Sequence, residues 1–233
     1  MSPLRVFIGF DPRQPVAYTV AAHSIAMSSS VPVAVTPLIH RQLPLHRTGL
    51  TEFTFTRYMV PWLCNYEGHA LFIDADMLCI GDIAELPWGS EHSVCVVPHQ
   101  ESELHPGFKL YFERASVMLF NCAKCLNLTP EYIETGSPQS LEWAESIGEL
   151  PREWNHLVGY DKPKPAKLVH YTQGIPCFPE TDKDEYAAEW QAAARHAMGT
   201  VAWEDIMGRS VHARFKREAK AHAPMLAVAG SDP

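Results

Sequence analysis

Four consecutive apolar residues, Ala70-Leu71-Phe72-Ile73, run directly into Asp74-Ala75-Asp76, and no other feature constrains the chain as strongly. A run without alternation reads as a strand buried on both faces. Such a strand rarely ends on two acids unless something compensates their charge. A divalent cation does so, because hard ions prefer carboxylate oxygen, and in open α/β sheets ligands gather at the carboxyl ends of strands. Taken alone, Asp-x-Asp is equally well a turn or a helix N-cap, so the rest of the sequence has to decide.

Elsewhere the pattern alternates strand and helix. Leu4 to Phe10 reads as a strand closing on Gly9-Phe10-Asp11-Pro12, and Ala17 to Met27 has helical spacing. Val31 to Ile39 is a second strand, placed at an edge by Pro32 and Pro37. Phe53 to Cys64 reads as a helix started or kinked at Pro61. Val94 to Pro98 and Val117 to Phe120 are further strands, Leu141 to Ile147 a short helix, and Lys167 to Tyr171 a late strand. Asp184 to Met198 and Trp203 to His222 are helical in composition. The pattern predicts an α/β fold: a domain over 1–182, a helical extension over 183–222 and a frayed, disordered tail over 223–233.

His170 closes the late strand and opens the Gly/Pro-rich stretch Tyr171-Thr172-Gln173-Gly174-Ile175-Pro176. A histidine at a strand end, in a chain with a strand-end Asp pair, is a credible third ligand. Two carboxylates and an imidazole leave open positions for phosphate oxygens, which suits an ion gripping a diphosphate leaving group.

The six cysteines sit mostly in apolar segments and read as small buried hydrophobes. Cys122-x-x-Cys125 has no second Cys/His pair to complete a zinc site. A net charge of −8 argues against a nucleic-acid partner. The opening residues read as a strand and not as a signal peptide, and no apolar run reaches the roughly 18 residues that span a bilayer, so the expected location is cytoplasmic. Arg209, His212, Arg214, Lys216, Arg217 and Lys220 crowd one segment, which as a basic amphipathic helix would give peripheral contact with the inner face of a membrane, and otherwise is a solvated face.

In order and spacing these pieces resemble glycosyltransferase family 8, enzymes of GT-A fold. Matching segments are Val6 to Asp11 with the following helix, Phe55-Thr56-Arg57-Tyr58, Leu71 to Leu78 with Gly81-Asp82-Ile83, Leu150 to Asn155, and His170 with Gly174. The resemblance implies a Rossmann-like, mostly parallel central sheet flanked by helices, with a C-terminal helical extension. It implies a hexosyltransferase moving sugar from a UDP-sugar or similar donor to a glycan, lipid-linked or protein acceptor, with retention. Asp74, Asp76 and His170 would hold Mn²⁺ or Mg²⁺. Gly9, Asp11 and Arg13 would line the nucleotide pocket, Arg57 would reach sugar or phosphate, and Ala75, Asp76, Ser116 and Gly174 would contact the donor.

The chain also departs from that pattern. The Lys expected after the His is absent from Gly174-Ile175-Pro176-Cys177, which leaves Arg13 or Lys167 to meet phosphate charge. The family's Asp-Gln pair has Pro138-Gln139 as its nearest counterpart, so Gln139 is the one candidate for a catalytic contact. Arg114 stands where an Asn is usual. Two alternatives follow: a catalytically silent nucleotide-sugar binder, and a phosphatase of haloacid dehalogenase type, in which the first Asp is a nucleophile.

Overall fold

The computed structural model describes residues 2–98, 101–110 and 115–199. In chain order the elements are β1 (Leu4–Gly9), α1 (Pro15–Ser28), β2 (Val33–Leu38), α2 (Val60–Leu63), β3 (His69–Ile73), β4 (Met77–Cys79), β5 (Val94–Val96), β6 (Val117–Asn121), α3 (Pro130–Thr135), β7 (Ile147–Glu149), β8 (His156–Leu157), β9 (Leu168–His170) and α4 (Ala187–Ala197). Residues through Ala194 form one compact unit, and a second begins at Arg195. Beyond residue 199 the second unit lies outside the described residues, and with it the expected helix 203–222, its basic segment and the tail 223–233.

The α/β class is borne out. Six strands form a sheet in the order β2-β1-β3-β6-β5-β7. β1 runs parallel to β2 and β3, β5 runs parallel to β7, and β6 alone is reversed against both neighbours. Pro15 enters α1 at its first turn, where a missing N–H breaks no hydrogen bond. β2 carries Pro37 without penalty because it is an edge strand. β3 is central, and Ala70, Leu71, Phe72 and Ile73 are all buried, which is why the run shows no alternation.

The matched segment Leu71 to Leu78 is not one strand. The chain leaves the large sheet after Ile73, turns through Asp74-Ala75-Asp76, and enters a second sheet, β4-β9-β8, at Met77. Nor do residues 141–147 form a helix: Leu141 takes φ +61°, and the Trp143 indole donates to Pro138 O at 2.8 Å while its ring stacks on Phe120. Burying that indole outweighs the weak helical preference of the segment. Between Phe53 and Cys64 the chain forms a 3-10 turn at Thr56–Met59 and the single turn α2.

Cys125 donates to Ser93 O and Asn121 O, and burial pushes its thiol up to about 12. No group of potential metal ligands among the described residues includes it.

Candidate metal centre

Register alone assembles the site. β4 and β9 pair antiparallel with Met77 opposite His170, and Tyr171 N donates to Asp76 O at 3.0 Å. The imidazole at the end of β9 therefore arrives beside the residue at the start of β4. On the other side Asp74 N donates to Ser116 O at 3.0 Å, continuing the ladder of Ile73 with Val117. The turn between the two sheets is thus clamped at both ends. Asp74, Asp76 and His170 each bring a ligand atom within 4.8 Å of the others, the only such group found among the described residues.

Each side chain is positioned differently. Asp74 is buried and pairs with Arg57, Nη2 to Oδ1 at 3.0 Å. Arg57 is itself buried, donating to Phe53 O at 3.2 Å and Ala115 O at 2.6 Å, with its guanidinium over the Phe72 ring. It ties three segments together and offsets one of the two acids. His170 Nδ1 lies 2.9 Å from Asn155 Oδ1, so this nitrogen carries the proton and donates. Nε2 then faces Asp76 Oδ1 at 3.4 Å. That oxygen is buried without a hydrogen-bond partner.

The donor set fits a divalent ion. A lone pair on Nε2 and a carboxylate oxygen, opposed across 3.4 Å in a buried setting, repel unless a proton or a cation lies between them. Two carboxylates with one imidazole suit Mn²⁺ or Mg²⁺, and a histidine oriented through its second nitrogen is the usual supporting arrangement.

The remaining expected residues scatter around this cluster. Ala75 is buried in the turn itself and Ser116 is buried beside Asp74. Gly174 N donates to Tyr171 O, closing the turn that follows His170. Gly9 sits so close to Phe53 that a Cβ would lie 2.4 Å from the ring, so packing alone demands glycine there. Asp11 and Arg13 form a unit rather than two separate contacts: Arg13 donates from its backbone N and its Nε to Asp11 Oδ1, each at 2.9 Å. Gln139 is exposed on the 3-10 turn Pro138–Ser140, whose hydrogen bonds run to Trp143 and Ser137. Lys167, expected as a source of phosphate charge, pairs instead with Glu85 at 2.6 Å and Glu153 at 2.8 Å, at the opposite end of β9 from His170. Arg114 lies outside the described residues. Asn155 closes the segment Leu150 to Asn155, and its role emerges only from the approach of His170.

The Arg13 guanidinium beside it holds the Asp11 carboxyl below the usual carboxylate range, against the upward push of burial. A depressed folded pKa contributes stability above the unfolded value of about 3.9, and the contribution is lost as pH falls through the folded value. In Arg13→Met, carboxyl ¹³C titration is expected to show the Asp11 inflection moved upward. An unmoved inflection would remove Arg13 as its cause.

Comparison with known proteins bears on the family and the fold. No protein-family model matches. Protein CDI of Arabidopsis thaliana is 34% identical over 221 residues, covering 81% of this chain and 85% of its own. The chain belongs to the CDI family. Among solved structures, this CDI-family chain resembles the apo form of the glycosyltransferase GlyE from Streptococcus pneumoniae (TM-score 0.60, 16% identity, covering 94% of this chain and 64% of that one). It also resembles the galactosyltransferase LgtC with donor and acceptor sugar analogues (0.55, 11%, 82% and 95%). A third neighbour is the bifunctional glycosyltransferase WbbM (0.58, 15%, 83% of this chain), half of whose length the chain spans. At these identities the likeness is one of fold, and the CDI-family chain has the GT-A fold. No helix among the described residues is long and apolar enough to cross a membrane.

Proposed function

We propose that this chain is a metal-dependent glycosyltransferase that moves a hexose from a UDP-sugar to a hydroxyl acceptor, with retention of anomeric configuration. The observation that carries the reading is the convergence of Asp74, Asp76 and His170, from two different sheets of a GT-A fold, onto one point. A divalent ion bound by these three would supply charge to offset the departing diphosphate.

The chain's own contribution is positional. Asn155 fixes the His170 tautomer, and Arg57 holds Asp74 and the Ala115 carbonyl in one arrangement. Asp76, more open than its two partners, is the ligand nearest solvent. Catalysis then rests on preorganised electrostatics and on orienting two substrates, with the acceptor hydroxyl attacking from the face the diphosphate leaves. No side chain is assigned as a strong general base.

The test is a thermal-shift screen of nucleotide sugars with and without Mn²⁺. The native donor is expected to raise the unfolding temperature only when the metal is present, by about 2.7 kcal/mol of added stability at a hundredfold excess over Kd. No metal-linked shift with any nucleotide or nucleotide sugar would overturn the reading. One observation favours a second reading, a nucleotide-sugar binder without turnover: Arg13 is bound to Asp11 and Lys167 to Glu85 and Glu153, while Gly174 to Cys177 carries no cation. Metal-linked UDP affinity with no donor hydrolysis or transfer would select it.

A further inference from the structure

Residues 101–110 form a small lobe packed on the segment after β8. Its ends are drawn together by the bridge of Glu101 with Lys109 and by Ser102 N donating to Phe108 O at 3.0 Å, around a turn at Gly107 with φ +86°. It is fastened to the segment after β8. Leu104 N and Ser102 Oγ both donate to Tyr160 O, and His105 Nε2 bonds Gly159 O at 3.2 Å.

That fastening displays a flat aromatic face. Phe108, 46% exposed, stacks on Tyr160 with ring centroids 5.6 Å apart and planes at 19°, and His105 meets Tyr160 edge-on. An exposed ring backed by a half-buried one in this way reads as a binding surface.

Its position ties it to the site. Val158 N donates to His170 O, and Tyr160 is two residues further on, its Cα at most about 7 Å from that of Val158. Gly159 lies against the Gln173 side chain, three residues past His170. Later in the chain, Ala115 O accepts from Arg57 and Ser116 O from Asp74 N.

We propose that the Phe108–Tyr160 face is the acceptor subsite and that it takes the pyranose ring of a neutral sugar, an assignment that rests on the glycosyl-transfer reading above. The C–H face of a pyranose is apolar and slightly positive, which complements the negative face of an aromatic ring. Its hydroxyls need donors and acceptors at the rim. His105, donating through Nε2 to Gly159 O, presents Nδ1 as an acceptor, and the exposed Gln173 amide offers both functions. Charge on the lobe is nearly balanced, with Glu101 opposite Lys109 and Glu103 bound to Lys164. That suits an uncharged acceptor better than a phosphate or uronate.

The experiment is saturation-transfer NMR on the full chain loaded with Mg²⁺ and UDP, using maltose, cellobiose, lactose, mannobiose and xylobiose as probes, with UDP affinity measured in parallel by calorimetry. Wild type is expected to saturate ring protons of at least one disaccharide. Phe108→Ala should weaken that binding about five- to tenfold with UDP affinity within about twofold, and Phe108→Tyr should restore it. Metal-linked UDP binding with no disaccharide saturated, or with Phe108→Ala binding sugar as wild type does, overturns the subsite and leaves the transferase reading standing. Absence of metal-linked UDP binding in wild type overturns the transferase reading, and the acceptor assignment with it.

Discussion

Asp76→Ala and His170→Ala are each expected to abolish Mn²⁺-linked UDP binding in calorimetry, a loss of more than about 100-fold, the upper end of what outer-shell changes cost. Each removes one of three converging ligands, and His170→Ala also removes the donor to buried Asn155 Oδ1, at about 1–3 kcal/mol. Asp76 Oδ1 is buried and without a hydrogen-bond partner in a turn already held by backbone bonds, so its removal relieves an uncompensated polar atom. The metal-free Asp76→Ala variant should therefore melt at or above the wild-type temperature. Asp74→Ala should behave differently. It strands the buried Arg57 guanidinium, which keeps Phe53 O and Ala115 O but loses its only carboxylate among the described residues. Breaking a buried pair from one side costs about 3 kcal/mol or more, so lost binding in that variant would not separate ligation from unfolding. Unchanged metal-linked affinity in Asp76→Ala and His170→Ala would remove both residues from the site. Cys125→Ala, whose thiol bonds only backbone carbonyls, should leave that affinity unaltered.

Those contrasts separate what the sequence disclosed from what it concealed. The strand carrying Asp74 was legible because burial on both faces forces a continuous apolar run, and acids at its tip stand out against that run. His170 was legible for the same reason at the end of β9. The change of sheet between Ile73 and Met77 was not, since apolar residues continue on both sides of the turn and periodicity carries no information on which neighbour a strand pairs with. Arg57 could be placed near the Asp pair, yet its burial could not be read, because arginine is buried only where acceptors surround it and these come from residues as distant as Ala115. The false helix at 141–147 and the misplaced hope in Lys167 share a cause. Trp143 and Lys167 are each captured by partners that local sequence does not name: Phe120 for the first, Glu85 and Glu153 for the second.

Asn155 carries the second prediction, because it is the residue on which the imidazole depends. Its Oδ1 accepts from Nδ1 at 2.9 Å, and both side chains are buried, so no water substitutes when the acceptor is removed. With the proton held on Nδ1, the Nε2 lone pair points toward Asp76 and is available to a cation. Asn155→Leu should weaken Mn²⁺ affinity about 10- to 100-fold and cost about 1–3 kcal/mol for the unsatisfied ring donor. Asn155→Asp separates positioning from packing. A carboxylate still accepts from Nδ1 and makes the ring a better ligand, so metal affinity should return to wild-type level or above it. The same change adds a third negative charge to a buried cluster, so the metal-free protein should be less stable than wild type. A residue that merely packed would lose affinity and stability together in both variants. Affinity that tracks the acceptor while stability tracks the charge is what orientation of His170 requires, and equal affinity in Asn155→Leu and wild type would refute it.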